Sequence, residues 1–324
     1  MAHIMHVSLV PRNEVYMNLP EGLIAKIQPL SVCNGPGIRT VIFMKGCTLR
    51  CLKCVCPHMQ KNVGEILFTD WKCSRCLICK DICPRDAIME DSACMLKIDD
   101  ALCDKCGICA ECCPYGALEL LGRYYSICDL MQEIEKGVPT YQLSSGGVTI
   151  TGGEPAMQAE FVSAFLQQCR RHEIHTVLET QGFASWQKIA MITEWPDLIY
   201  FNIRHMNDEA HRRLTGYSNR LILENLRKVA ERHSVTIRIP IIPHMNDTEE
   251  NATELAQFAC RLGKNVNGIE IIRYHENDDV KKQKLDRKYE NLEIAYRDDG
   301  KIIALKTLLE YYGLNVRIES WKGG

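Results

Sequence analysis

Short β-branched runs alternate with longer amphipathic stretches along most of the chain. The extended runs are IRTVIFM (38–44), GVTIT (147–151), TVLET (176–180), DLIYFNI (197–203), VTIRIPII (235–242) and GIEIIR (268–273). Helical patterns lie among them: DLMQEIEK (129–136), WQKIAMIT (186–193), LILENLRKVAERH (221–233) and EENATELAQFACRLG (249–263). A further stretch, Glu160 to His172, puts Phe161, Ala164, Phe165 and Cys169 on one helical face. Strands separated by helices predict parallel βα units joined by right-handed crossovers. Six strands are too few for the usual eight-stranded barrel, so the expected fold is α/β, a partial (β/α)6 barrel of the TIM type.

The unusual residues fall just past the strand ends. Cys47 follows the first, GGEP (152–155) the second, TQG (180–182) the third, and RHMND (204–208), PHMND (243–247) and YHEND (274–278) the rest. In parallel barrels that rim carries the chemistry. Gly, Pro, Asn and Asp also dominate ordinary turns, so the register of six such loops says more than any one of them.

Composition narrows the function classes. With 324 residues the chain exceeds an average domain, which suits one domain plus an insertion. Its 39 basic and 41 acidic residues leave a net charge of −2, no field for gripping nucleic acid. No run approaches 18 apolar residues and the N-terminus lacks the regions of a secretory signal, so a soluble cytoplasmic protein with no membrane partner is expected. The 18 cysteines mostly fall in tight CxxC-type runs and read as metal ligands rather than disulfides.

Residues 73–88 (CSRCLICKDICPRDAI) and 103–118 (CDKCGICAECCPYGAL) superimpose at an offset of 30, both as CxxCxxCxxxCPxxA. This is the bacterial ferredoxin signature, in which the fourth cysteine of each run ligates the other run's 4Fe–4S cluster. One cluster is expected on Cys73, Cys76, Cys79 and Cys113, the other on Cys103, Cys106, Cys109 and Cys83. Pro84 and Pro114 direct the chain away from each cluster. Two zinc sites are the alternative, and the spacing fits them poorly. Cys112, Cys94, Cys128, Cys169 and Cys260 read as small buried apolar residues. The expected organisation is an N-terminal extension (1–20), a first part of the core (21–70), a ferredoxin-like two-cluster insert (71–122) held largely by its ligands, and the rest of the core (123–324).

Cys47, Cys51 and Cys54 form CxxxCxxC directly after the first strand. A cluster held by three thiolates leaves one iron open, as a catalytic metal site keeps a place for substrate. With TGGEP after the second strand, this arrangement resembles the radical S-adenosylmethionine (SAM) superfamily. Further stretches, CNGPGIRTVIFMKGCTLRC, SSGGVTITGGEPAMQ, VLETQGFAS, RRLTGYSNRLILENL and RIPIIPHMND, make residues 24–275 similar to the activating enzymes of glycyl radical enzymes, especially those with a two-cluster insert.

The resemblance implies three 4Fe–4S clusters and SAM as cofactors. The methionyl amine and carboxylate would chelate the open iron, and one electron would cleave SAM to methionine and a 5′-deoxyadenosyl radical. That radical would take hydrogen from a glycine on a loop of a partner glycyl radical enzyme, with an external one-electron reductant such as flavodoxin or ferredoxin. By the same resemblance Gly152, Gly153 and Glu154 would receive the methionyl amine, where glycine allows close backbone approach. Asn202 and Arg204 would lie by the methionine moiety, and Arg238 would pair with its carboxylate or sit in a structural ion pair.

Departures from the family matter too. Asn34 and Asn202 stand where relatives carry aspartates, and Arg204 where they carry lysine, so no cation site is expected. Cys56, in place of the usual asparagine, reads as a small pocket residue. His205, His211, His244 and His275 lack metal spacing and read as polar rim residues. The segment 275–301 is densely charged with both signs and suits a solvated face. Two rival readings remain at this level: a radical SAM enzyme acting on a small molecule, and a non-catalytic three-cluster electron carrier.

Overall fold

The computed structural model describes residues 19–54, 56–90, 96–273 and 299–320. Residues 1–18, Cys94, the YHEND loop with His275 and most of the charged segment lie outside the described residues.

All six expected strands are present: β2 (Arg39–Met44), β8 (Gly147–Gly152), β9 (Thr176–Thr180), β10 (Leu198–Asn202), β11 (Val235–Ile241) and β12 (Val266–Arg273). Each pairs in parallel with the next. The sheet is larger than expected. β13 (Val316–Ser320) adds a seventh parallel strand beside β12, and β1 (Gly22–Ser31) runs antiparallel to β2 with β7 (Arg123–Tyr125) on its outer side. Among the described residues β13 and β7 end the nine-stranded order without meeting, so the sheet is open. The fold is thus mixed α/β around a large parallel sheet.

β2 and β11 are buried at every position, as strands covered on both faces must be. Helices pack outside through apolar faces. In Ile127–Glu135, Ser126 accepts from the Asp129 N–H at 3.1 Å, and Ile127, Leu130, Met131 and Ile134 are buried. In Ala159–Arg171, Phe161 and Phe165 stack with ring centroids 6.4 Å apart, while Phe165 and Cys169 have no exposed surface. The β1–β2 hairpin loop is tied to the sheet by Arg39, which is fully buried. Its guanidinium donates to Thr149 Oγ1 (2.7 Å), Pro36 O (2.9 Å) and Val148 O (2.6 Å), and burial lowers its pKa to about 10.

β3 (Glu65–Phe68) pairs antiparallel with β6 (Leu118–Leu121), and the chain between them forms a small separate unit. It contains two one-turn helices, Ile78–Asp81 and Ile108–Glu111, and a ribbon of β4 (Ile88–Glu90) and β5 (Leu96–Ile98). Its apolar core is only Cys79, Ile88, Leu96, Cys109 and Leu118 with their neighbours.

The sequence repeat recurs in the backbone. Left-handed residues Arg75, Leu77 and Asp86 (φ 59°, 61° and 49°) have counterparts thirty positions on in Lys105, Gly107 and Gly116 (φ 62°, 82° and 58°). Leu77 carries the strain that Gly107 avoids. Leu77→Gly relieves that strain but gives up the packing of Leu77 on Cys79, Ile88, Leu96, Cys109 and Leu118, so the two effects should nearly offset, within about 1 kcal/mol in denaturant midpoints at unchanged slope.

Candidate metal and cofactor centre

The loop after β2 is held by its backbone. Gly46 N–H donates to Met59 O (2.7 Å) and Cys47 N–H to Gln60 O (2.9 Å). Arg50 and Leu52 N–H donate to Thr215 O and Leu214 O at the end of helix Asp208–Thr215 (2.9 and 2.8 Å). Beneath it, Lys45 is fully buried, donating to His58 O and pairing with Glu65, each at 2.8 Å. The GGEP loop packs directly on this turn. Glu154 N–H donates to Gly46 O at 2.7 Å, and a Cβ on Gly153 would lie 2.0 Å from that same oxygen. Only glycine allows the two loops to approach this closely.

Cys47, Cys51 and Cys54 line one cavity at the C-terminal ends of the strands. Gly152, Gly153, Asn202, Arg204 and Arg238 line it as well, so five of the six positions expected to contact SAM converge with the three thiols. Glu154 does not. Its carboxylate lies behind the cavity, accepting from Thr180 Oγ1 (2.6 Å), Ala156 N–H (3.1 Å) and Gln181 N–H (2.8 Å), and thereby joins the rims of β8 and β9. Burial pushes its carboxyl pKa up against those hydrogen bonds.

The cavity wall also contains Glu179, which sequence reasoning passed over. Arg238 Nη1 lies 3.2 Å from Glu179 and its Nε 2.7 Å from Glu270, with the guanidinium 3.5 Å from the centre of the Tyr200 ring. Asn202 Nδ2 and Thr151 Oγ1 each donate to Glu179 at 3.0 Å. Burial works to raise the Glu179 carboxyl, but Arg238 and these hydrogen bonds hold it below the usual carboxylate range. An aspartate at 202 would set a second carboxylate against Glu179, whereas the amide donates to it. The only sequence signals for the two glutamates were single acids inside apolar strands.

Burial raises all three thiols. Cys47 is pushed up by burial and then by Cys51, Cys54 is pushed up to about 12, and Cys51 rises against the opposing effect of Arg204, which hydrogen-bonds to it.

In the inserted unit, Cys73, Cys76, Cys79 and Cys113 line one cavity, and Cys83, Cys103, Cys106 and Cys109 line another. Backbone N–H groups of Ala87 and Ala117 donate to the sulfurs of Cys83 and Cys113 at 3.3 Å, again thirty residues apart.

A model of the radical SAM superfamily matches residues 106–256. The trans-4-hydroxy-L-proline dehydratase activating enzyme of Clostridioides difficile is 35% identical over 298 residues, 91% of this chain and 98% of that protein. The isethionate sulfite-lyase activating enzyme of Oleidesulfovibrio alaskensis is 38% identical over 273 residues, 82% and 87% of the two chains. The chain belongs to the radical SAM activating enzymes of glycyl radical enzymes. A solved domain of a pyruvate-formate lyase-activating enzyme from Bacteroides vulgatus covers 55% of this chain and 99% of its own, with 27% identity and a TM-score of 0.46.

Radical SAM activating enzymes use a 4Fe–4S cluster and SAM, and the donor set of this one fits such a cluster. Three thiols face one cavity, and thiolate is the donor iron–sulfur clusters take. Among the described residues no three His, Cys, Asp or Glu side chains are grouped to hold a single metal ion. Raised thiol pKa values mean that ligation releases protons.

The other cysteines divide. Cys56 lines the cavity and packs on Ala25, Val41, Phe43 and Met59. Cys169 is buried as expected, Cys112 and Cys128 are half-buried, and Cys260 is exposed, its sulfur 3.6 Å from Tyr312 O. The expectation of burial fails at Cys260 because it faces the outer turn rather than the sheet. His211 is likewise no rim residue, being fully buried with Nδ1 2.7 Å from Tyr217 O. Among the described residues no helix is long and apolar enough to cross a membrane.

Proposed function

We infer that Cys47, Cys51 and Cys54 hold a 4Fe–4S cluster with one iron open to SAM, and that the enzyme uses it to remove hydrogen from a glycine in a loop of a partner glycyl radical enzyme. The observation that carries this reading is the convergence of three thiols from one loop with the rims of β8, β9, β10 and β11 on one cavity. When bound, the cluster and SAM supply one-electron cleavage of the sulfonium, giving methionine and a 5′-deoxyadenosyl radical.

The chain's part is binding and exclusion of water. Gly152 and Gly153 present backbone without side chains, as approach of the methionyl amine requires. Glu179, ionised and paired with Arg238, sets a carboxylate in the wall that suits a ligand carrying a sulfonium. Asn202, Arg204 and Arg238 offer donors for the carboxylate end. Glu154 positions the two rims that frame the site. Among the described residues the sheet is open, which would leave room for an extended loop of the partner.

The inserted unit would hold two further 4Fe–4S clusters in the ferredoxin manner, on the two cysteine quartets. Electrons would enter from an external one-electron donor.

The test is anaerobic incubation of the holoenzyme with SAM, reductant and candidate glycyl radical enzymes. A glycine-centred doublet in the electron paramagnetic resonance spectrum of the partner is expected. Release of 5′-deoxyadenosine with no doublet in any candidate would favour a small-molecule substrate, and no release at all would favour an electron carrier.

A further inference from the structure

The inserted unit leaves the barrel along β3 and returns along β6 to Gly122. Both crossings close on Lys45, two residues before Cys47. Its Nζ pairs with Glu65 at 2.8 Å, and a Cβ on Gly122 would lie 2.6 Å from its Cδ. The rest of Lys45 is fastened to the barrel. Its N–H donates to Leu23 O on β1 (3.0 Å), its carbonyl accepts from Gln158 Nε2 just past the GGEP loop (2.9 Å), and Nζ also donates to His58 O in the cysteine loop (2.8 Å). Lys45 has no exposed surface and Glu65 is buried, so this pair is a joint inside the molecule. Apolar side chains would fill the same space without desolvating two charges, whereas a buried pair demands one relative position of the two units.

The second half of the inserted unit lies at this joint. A Cβ on Gly64, beside Glu65, would lie 3.1 Å from Gly122 O and 3.5 Å from Cβ of Lys105, the residue before Cys106. One on Gly107, the residue after it, would lie 2.8 Å from Leu120 on β6. Arg123, which opens β7 of the main sheet, pairs with Glu111 of the second half at 2.6 Å. Along β3, Ile66 lines the cavity of Cys83, Cys103, Cys106 and Cys109, whereas Phe68, two residues farther from the joint, lines that of Cys73, Cys76, Cys79 and Cys113. The quartet containing Cys106 is therefore the inner one, and the quartet containing Cys76 the outer.

We propose that Lys45 and Glu65 are positioning residues that hold the inserted unit against the loop of Cys47, Cys51 and Cys54, so that electrons reach that loop from the inner quartet, and from the outer quartet only through the inner one. Each transfer oxidises the donor quartet's cluster by one electron and reduces the next, with no bond or proton exchanged, and the external one-electron donor supplies the first electron. Electron tunnelling falls steeply with distance, so a unit hinged on a flexible linker would conduct poorly and a locked joint serves it. This rests on the three-cluster reading above and gives it an order and a pair of residues that enforce it.

Two measurements on the clustered holoenzyme test it. In the electron paramagnetic resonance spectrum of the fully reduced enzyme, spin coupling to the inner quartet should broaden the signal that SAM perturbs. Cys106→Ala should remove most of that broadening and Cys76→Ala, its equivalent in the repeat, should leave it. Lys45→Met should weaken it, while Glu65 stays paired with Lys61 at 2.7 Å. Lys61→Met, which removes that outer pair and spares the joint, is the control and should match wild type. Should Lys45→Met lose iron, Lys45→Met with Glu65→Gln removes both charges of the joint and takes its place. In the second measurement, reduced enzyme freed of reductant is mixed with excess SAM. Wild type should release more 5′-deoxyadenosine than the single equivalent stored at Cys47, Cys51 and Cys54. Lys45→Met and Cys106→Ala should lose most of that excess, and Cys76→Ala should keep more of it. Wild-type broadening and yield in Lys45→Met, or equal effects of Cys76→Ala and Cys106→Ala, would overturn the proposal. If wild type released no 5′-deoxyadenosine, the catalytic reading would fall, and the spin coupling would still decide the joint.

Discussion

Replacing Cys51 with alanine is expected to reduce SAM cleavage by at least about 10³-fold, to the level of the uncatalysed background. Cys51 is buried between the other two thiols and Arg204, and two thiolates cannot hold four irons against loss to solvent. The two quartets of the inserted unit are separate from it. Iron and sulfide should accordingly fall by about one cluster in three, with the absorption of the remaining clusters intact. Cys169→Ala, in the core of helix Ala159–Arg171, is the control and should leave iron content unchanged. Full iron content and activity in Cys51→Ala would remove this thiol from the site.

The second large effect concerns Arg238, which is 3% exposed between Glu179 and Glu270. Arg238→Met leaves two buried carboxylates facing one another and should destabilise the protein by about 3–5 kcal/mol, measured by denaturant unfolding. The sign of the pH dependence follows. In the wild type Glu179 has a depressed pKa, so its contribution is present above the unfolded carboxylate pKa and is lost as pH falls through the folded value. In the variant the unpaired carboxylates have raised pKa values, so the penalty is largest near neutrality and shrinks on acidification toward the range where they take up protons. Adding Glu270→Gln should recover part of the loss at neutral pH. Equal stability of Arg238→Met and wild type at pH 7 would show that the network carries no weight.

How much of this was legible in the sequence depends on what made each signal. The six central strands were legible because β-branched runs in a both-faces-buried sheet are dense and short. β13 was not, since VRIES alternates apolar and charged residues at a half-exposed edge, and β1 lacked a flanking helix to frame it. The cysteines were legible because ligation fixes spacing along the chain. Glu179 and Glu270 were not, because an acid inside an apolar strand has meaning only once β11 and β12 set Arg238 beside Glu270. Nothing local to Arg39 or Lys45 told that these cations are fully buried, since their partners lie in loops and strands distant in sequence. Glu154 was placed with its glycines by motif alone, and the fold turns its carboxylate to the back of the cavity.

In the proposed site Cys47, Cys51 and Cys54 hold a cluster with one iron left for SAM to complete. Electron–nuclear double resonance of the reduced holoenzyme with SAM labelled by nitrogen-15 in the amine and oxygen-17 in the carboxylate measures this directly. Hyperfine coupling to both labels is expected, and its loss in Cys51→Ala. Absence of both couplings in a fully clustered enzyme with SAM bound, or a fourth protein ligand on that iron, would contradict it.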